Sequence, residues 1–223
     1  MRVVALLPMR HQSERISGKN YRPFAGQPLY HHILRNLLAC PQISEVVINT
    51  DSLLIQDEVS TSFPGVRLIP RPEHLLGGMV PMNEILLHDV TQVEADFYLQ
   101  THSTNPLLRP ETVSRAIDHF LANYPTHDSL FAVTRLQTRL WDQLGRAINH
   151  NPAVLLRTQD LPPIYEENSN LYLFDRITLE QRRNRIGERP LLFEIDRQET
   201  WDIDEESDFL IAEQLYLRRQ RET

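Results

Sequence analysis

Cysteine occurs once in this chain, as Cys40, and lysine once, as Lys19. A lone thiol can neither close an intramolecular disulfide nor build a thiolate metal cage, which excludes a stapled, exported scaffold and makes the cytoplasm the expected compartment. Long apolar runs are also missing. The start from Met1 to Leu7 is interrupted by Pro8 and Arg10, too soon to span a bilayer and with no small-residue cleavage site, so no membrane partner is expected. Basic charge is in deficit, with 23 Lys and Arg against 30 Asp and Glu and a net charge of −7. That balance argues against sequence-independent binding to nucleic acid or anionic lipid. Neither a Gly-Lys-Ser/Thr ending nor a G-x-G-x-x-G run occurs, so any phosphate must be met by other means.

What is present is 223 residues, 41% of them hydrophobic, enough for one sizeable core in a single domain spanning 1–223. Short apolar runs alternate with segments of helical period, the pattern of an α/β fold around a mostly parallel sheet. Strands are expected at Val3 to Leu7, Glu45 to Asn49, Val66 to Ile69, Asp96 to Gln100 and Leu130 to Thr134. The intervening helices would bury Leu29, Ile33, Leu37 and Leu38, then Leu54, Ile55 and Val59, then Ile85, Leu86 and Val90. Pro110 and Glu111 open a fourth helix with Val113, Ala116, Ile117, Phe120 and Leu121 inward. A last helix carries Phe209, Leu210, Ala212, Leu215 and Tyr216, with Asp204 in position to be its N-cap. From about 137 to 167 the alternation lapses, and Pro152, Pro162 and Pro163 predict an extended arm.

Charge is concentrated after the first strand. Between Arg10 and Arg22 stand Arg10, Arg15, Lys19 and Arg22 against Glu14 alone, a local reversal of sign at the carboxyl edge where open α/β sheets bind ligands. Guanidinium forks and one compact ammonium offer complementary geometries to a polyphosphate; a solvated basic loop is the plainer alternative. Near the other end, alternation in Asp202-Ile203-Asp204 sets two carboxylates on one side and Ile203 inward, a hard-oxygen pair suited to Mg²⁺. The competing role for Asp204 is the helix cap, with Asp202 solvated.

The opening pattern L-P-x-R-x-x-S-x-R-I-x-G-K-N, continued by Arg22-Pro23-Phe24-Ala25-Gly26-Gln27-Pro28-Leu29, resembles the acylneuraminate cytidylyltransferases, which make CMP-activated sialic and related nonulosonic acids. Asn49-Thr50-Asp51, Arg71-Pro72-Glu73, Gln100, Glu167-Asn168 and Asp202-Ile203-Asp204-Glu205-Glu206 follow in the family's order over essentially the whole chain. The resemblance implies a three-layer α/β/α, Rossmann-like nucleotide-diphospho-sugar transferase fold. It implies a reaction in which the anomeric hydroxyl of an acidic keto sugar attacks the α-phosphorus of CTP and pyrophosphate leaves; an octulosonic acid acceptor and a non-catalytic nucleotide-binding homologue are the other readings. By the same resemblance Arg10 and Lys19 hold the triphosphate with Arg15 in support, Asn20 and Arg71 contact the cytidine, and Asp51 lines the nucleotide side or caps the next helix. Arg71 has a second reading as partner of Glu73. Gln100 faces the acceptor or is merely a polar strand end, Asn168 joins the substrate side, and Asp202 with Asp204 binds Mg²⁺. The arm is where the family packs a second subunit, so a homodimer is expected.

Four departures from the family pattern stand out. His11 and Gln12 replace small residues whose bare backbone would approach phosphate. Gln100 and Pro106 are six positions apart, where the pattern has four. Gly77-Gly78 replaces a small-Asp pair, and Arg157, expected at the substrate carboxylate of its own or a neighbouring subunit, comes one position early in Arg157-Thr158-Gln159-Asp160-Leu161-Pro162.

Overall fold

Every residue of the first strand, β1 (Val3–Leu6), is buried, which requires cover on both faces and a partner on both edges. The computed structural model, which describes residues 1–222, supplies both. After β1 come a hairpin of β2 (Pro23–Phe24) and β3 (Gln27–Pro28), then β4 (Ile43–Thr50), β5 (Arg67–Pro70), β6 (Phe97–Thr101), β7 (Ser129–Leu136), β8 (Ile164–Phe174) and β9 (Pro190–Glu194). Seven of them form one sheet in the order β5-β4-β1-β6-β8-β7-β9, parallel except for β8, which runs antiparallel to both neighbours.

Alternation along β1 sorts the core into two layers. Val3 and Ala5 join Ile33, Leu34 and Leu37 of α1 (Leu29–Ala39), Ile55 and Val59 of α2 (Leu53–Ser62), and Val113, Ile117 and Phe120 of α4 (Pro110–Asn123). Val4 and Leu6 join Leu86 and Val90 of α3 (Met82–Gln92) and Leu179 of α5 (Arg176–Arg182). A third cluster, with Ile16, Phe24, Leu29 and Ile203, seats α6 (Glu206–Glu222) through Phe209 and Ala212. The expected α/β/α layering is what forms. Among the described residues no helix is long and apolar enough to cross a membrane.

The differences from expectation have local causes. Leu38, Leu54 and Leu210 belong to the right helices but are exposed, because a stripe defined only by period is wider than the face its neighbours cover. β9 and α5 give little periodic signal: β9 is a sheet edge that begins on a proline, and α5 is under two turns long. The arm is shorter than 137–167, since Ile164 to Glu167 already pair with Val133 to Leu136. That half of β8 has β7 alone as neighbour, stays largely exposed and therefore reads as polar loop.

Candidate active site

The chain leaves β1 for β4 and β5 on one side and returns to β6 on the other, so a crevice opens beyond the carboxyl ends of β1 and β6. There lies a cleft of about 440 Å³. Of the residues expected from sequence, Arg10, Arg15, Lys19, Asn20, Arg71, Asp202 and Asp204 line it, whereas Asp51, Gln100, Arg157 and Asn168 do not.

The loop after β1 is held from several sides. Met9 N donates to Asn49 O at 2.9 Å, and His11 N donates to Oδ1 of Asp51 at 2.6 Å. Asp51 thus ties the loop to β4, and the cap of α2 is Ser52, whose side chain accepts from Ile55 N. The bulk of His11 is turned away from the cleft: Nδ1 lies 2.8 Å from Ser52 Oγ, and the ring stacks on Tyr21 at 5.6 Å. Gly18 ends the loop at φ 62°, a left-handed backbone conformation that favours glycine, and an added Cβ would also stand 2.7 Å from the Tyr21 ring, which would have to shift. That turn delivers Lys19 into a buried position.

Lys19 then joins the two ends of the chain. Its Nζ donates to Ile203 O at 2.6 Å and stands 3.9 Å from Oδ1 of Asp204, the oxygen that also accepts from Arg15 at 2.6 Å. Burial lowers the Lys19 pKa, and Asp204 and Asp202 oppose that shift. Asp204 does not cap α6, as its helix-start position had allowed. The helix begins at Glu206, and Asp208 reaches back to accept from the backbone N–H groups of Asp204 and Glu205, leaving Asp204 free for Arg15 and Lys19. Asp202 is the more buried member of the pair; its Oδ1 has no hydrogen-bond partner, and burial raises its pKa, with Asp204 adding to the rise. Ile203 between them is fully buried, as alternation requires.

The long loop after β6 bridges these segments. Ser103 Oγ donates to Asn20 Oδ1 at 2.6 Å, Asn20 Nδ2 donates to Arg10 O at 2.7 Å, and Thr104 O accepts from Ile203 N at 3.0 Å. The extra length between Gln100 and Pro106 therefore connects the basic loop to the acidic motif. Asn20 spends both ends of its amide inside the protein.

Arg71 is buried, and its partner is not Glu73. Nε donates to Asn49 Oδ1 at 2.7 Å, and Nη2 donates to the carbonyls of Asn49 and Met9 at 3.0 and 3.2 Å. Asn49 Nδ2 in turn donates to Asp89 at 2.6 Å. The signal for Asp89 was an acid inside the apolar stripe Ile85, Leu86, Val90. Burial pushes its carboxyl up to about 6 from an ordinary 3.8. Protonation is therefore favoured in the fold, and the stability Asp89 supplies in acid is withdrawn as pH rises through about 6. Asp89→Asn keeps an acceptor for Asn49 without the buried charge. Its unfolding free energy relative to the parent, measured by denaturant titration, should climb between pH 4 and 7 by on the order of 1–3 kcal/mol, and a flat difference across that range would refute the buried-charge account.

Other expected residues lie elsewhere. Arg22 does not add to the cleft: its guanidinium forks onto Glu206 at 2.5 and 2.6 Å and lies 4.2 Å over the Phe209 ring. Arg157 is exposed on the arm and paired with Asp160 at 2.7 Å. Asn168 braces an irregularity in β8, accepting from Asn170 N and donating to Thr134 Oγ1, which carries Ser169 at φ 58° into the cleft wall. Gln100 is fully buried; its amide donates to Thr101 O and to His102 Nε2, and its Oε1 accepts from Arg185.

Arg185 and His102, both absent from the expected set, line the cleft. Burial, reinforced by Arg185 and Lys19, pushes His102 down to about 3, so its imidazole is neutral at physiological pH. Arg185 gave no distinguishing signal, being one of three arginines in Arg182-Arg183-Asn184-Arg185. The cleft finally gathers five cationic side chains, Arg10, Arg15, Lys19, Arg71 and Arg185, against Glu14, Asp202 and Asp204. In a chain of net charge −7 this is a local excess of positive charge, which favours an anionic ligand.

Comparison with known proteins gives a family model described as cytidylyltransferase, which matches residues 4–222. The chain is 28% identical to the CMP-N,N'-diacetyllegionaminic acid synthase of Legionella pneumophila, with 96% of each chain covered. It is 26% identical to the N-acylneuraminate cytidylyltransferase A of Danio rerio over 97% of its own length, and spans 51% of that protein. Among solved structures it resembles CMP:2-keto-3-deoxy-manno-octonic acid synthetase complexed with CTP, with a TM-score of 0.71, 17% identity, and coverage of 98% of this chain and 100% of that one. At that identity the likeness is one of fold.

Proposed function

This chain belongs to the cytidylyltransferase family, and from that premise we propose that it transfers CMP from CTP to the anomeric hydroxyl of an acidic keto sugar, a sialic or other nonulosonic acid. The anomeric oxygen forms a bond to the α-phosphorus as its hydroxyl proton passes to solvent, the bond from that phosphorus to the α,β-bridging oxygen breaks, and pyrophosphate leaves with the electron pair. The observation that carries this reading is the excess of cations in the cleft beyond β1 and β6, set against a carboxylate pair. Arg10 and Lys19 meet the triphosphate, Arg15 holds Asp204 in place beside them, and Arg71 and Asn20 shape the nucleoside end.

The donor set suits Mg²⁺. Asp202 offers a buried, unpartnered carboxylate oxygen and Asp204 stands two residues on, and among the described residues no cluster of three or more acidic, imidazole or thiol side chains gathers to enclose an ion completely. An ion that keeps water and takes phosphate oxygens matches two carboxylates better than a closed cage does. When bound, Mg²⁺ supplies neutralisation of phosphate charge. The protein's own part is to align the triphosphate through Arg10 and Lys19 and to keep Asp202 and Asp204 in register through Ile203.

The test is to incubate the protein with CTP, Mg²⁺ and N-acetylneuraminic, N,N'-diacetyllegionaminic, pseudaminic and 3-deoxy-manno-octulosonic acids, and to measure pyrophosphate. Release with a nonulosonic acid is the expected result. Release with the octulosonic acid alone would move the acceptor assignment, and none with any acid would replace catalysis by nucleotide binding.

The reading extends to a homodimer built on the arm. Leu144 is 70% exposed and Leu155 is 89% exposed, with Trp141, Ile148 and Val154 exposed near them in sequence, more apolar surface than a short loop normally leaves in water. Sedimentation should give about twice the 26.1 kDa of one chain, and Leu155→Glu should shift it toward the monomer. A monomer at micromolar concentration in the parent protein would refute the dimer.

A further inference from the structure

Arg185 is a buried-side cation in need of an anion. It lies in the segment after α5, whose position is set by neighbours on three sides: Arg183 pairs with Glu84 at 2.6 Å, Arg185 N donates to Asn83 Oδ1 at 3.3 Å, and Gly187 N donates to Ser129 Oγ at 2.8 Å. Its guanidinium carbon stands 3.5 Å from the centre of the Tyr172 ring, and one of its N–H groups donates to Gln100. Gln100 and Tyr172 are cross-strand partners on β6 and β8, so the plane of the guanidinium is fixed by two residues of the sheet itself.

Neither partner neutralises it. Among the described residues no carboxylate lies within ion-pair distance of Arg185, in contrast to Arg182 with Glu188 and Arg183 with Glu84. The acidic group that acts on it through space, Glu167, accepts the hydrogen bond of the Tyr172 hydroxyl. Burial lowers the Arg185 pKa, the mark of a charge held short of solvent without full compensation. A guanidinium presents five N–H donors, and Gln100 occupies one, which leaves a fork for a planar, two-oxygen anion.

Its place distinguishes that anion from the triphosphate. Arg15 and Lys19 gather around Asp204, with Arg10 close enough to act on Lys19, whereas Arg185 stands on the β6–β8 wall, with the neutral His102 feeling both Lys19 and Arg185. The arginine expected at the substrate carboxylate, Arg157, is paired with Asp160 on the arm.

We infer that Arg185 is the specificity-determining residue for the acceptor, binding its carboxylate through a guanidinium fork that Gln100 and Tyr172 orient. Gln100 is then a positioning residue, acting on the acceptor through Arg185. This assignment rests on the proposed transfer to an acidic sugar, and its test separates the two.

Turnover is measured with N-acetylneuraminic, N,N'-diacetyllegionaminic and 3-deoxy-manno-octulosonic acids and with their methyl esters. Binding of the same compounds is measured by calorimetry on protein saturated with a non-hydrolysable CTP analogue. The parent protein should prefer acid to ester by about 100-fold. Arg185→Met should raise the KM for the acid by about 100-fold, leave the ester almost unchanged and keep the KM for CTP within about threefold. Arg185→Lys, which retains charge without the fork, should recover about tenfold of the loss and serves if the methionine variant folds poorly. A preserved acid-to-ester ratio in both variants would overturn the assignment and leave the reaction standing. So would collapse of that ratio in Arg157→Met alone, or a loss confined to CTP. If no acid is turned over yet acid binding disappears in Arg185→Met, the carboxylate assignment holds and the transfer reaction falls; if no acid binds at all, both fall.

Discussion

Replacing Lys19 with methionine should lower kcat/KM for CTP by about 100- to 1,000-fold while leaving a folded protein. The magnitude is that of removing one preorganised charge from a site where negative charge develops. Methionine keeps the unbranched stem, so the packing that buries Lys19 survives. It removes the donor to Ile203 O, leaving that carbonyl without its Lys19 hydrogen bond, at a cost of about 1–2 kcal/mol. Thermal melting measures that cost directly and separates it from the catalytic loss. Lys19→Arg should not rescue. The ammonium fits between the Ile203 carbonyl at 2.6 Å and the Asp204 carboxylate at 3.9 Å, and a planar guanidinium needs a broader approach than this buried slot gives. The discriminating pattern is a melting temperature that falls by a few degrees with turnover that falls by orders of magnitude. Methionine at 19 with turnover within threefold of the parent would remove Lys19 from the triphosphate site.

Asp202→Asn should reduce turnover by about 1,000-fold or more, with a higher Mg²⁺ requirement, and should leave stability equal or improved. The two effects have opposite sign because the residue is kept for chemistry. Its Oδ1 is buried without a partner, and Asp204 stands two residues away with like charge. A fold optimised for stability alone would not retain a charge there, and an amide of the same shape removes the repulsion. Asp204→Asn should behave differently. Asp204 is half exposed and holds Arg15 at 2.6 Å, so its amide weakens a pair that shapes the basic loop as well as the metal site. A parental Mg²⁺ titration curve for Asp202→Asn would defeat the metal assignment, and lost stability without lost activity would make Asp202 a structural residue.

Three strands that line up at the site, β1, β4 and β6, were legible in sequence because each is a short run buried on both sides, and burial writes itself into residue type. The basic loop and the Asp202-Ile203-Asp204 alternation were legible for the same reason: each is a contiguous stretch whose pattern is complete within a few residues. Gln100 is expected from sequence to face the acceptor, but it does not line the cleft: its buried amide is taken up by Thr101, His102 and Arg185. Asn168 likewise belongs to the neighbourhood but acts on the backbone that presents Ser169.

By itself the sequence determined that this chain makes an α/β sheet with a cationic loop after the first strand and a carboxylate pair before the last helix, because these depend on local period and local charge. Which of its 22 arginines remain available to a ligand was decided only in three dimensions. Arg22 and Glu206 are 184 residues apart and cancel one another; Lys19 meets Ile203 across the same separation, and Arg15 meets Asp204 across 189. Arg182 and Arg183 find carboxylates, while Arg185, two positions on, finds an aromatic face and an amide. Charge compensation is set by whatever the fold brings within a few ångströms, and distance along the chain carries almost no information about that.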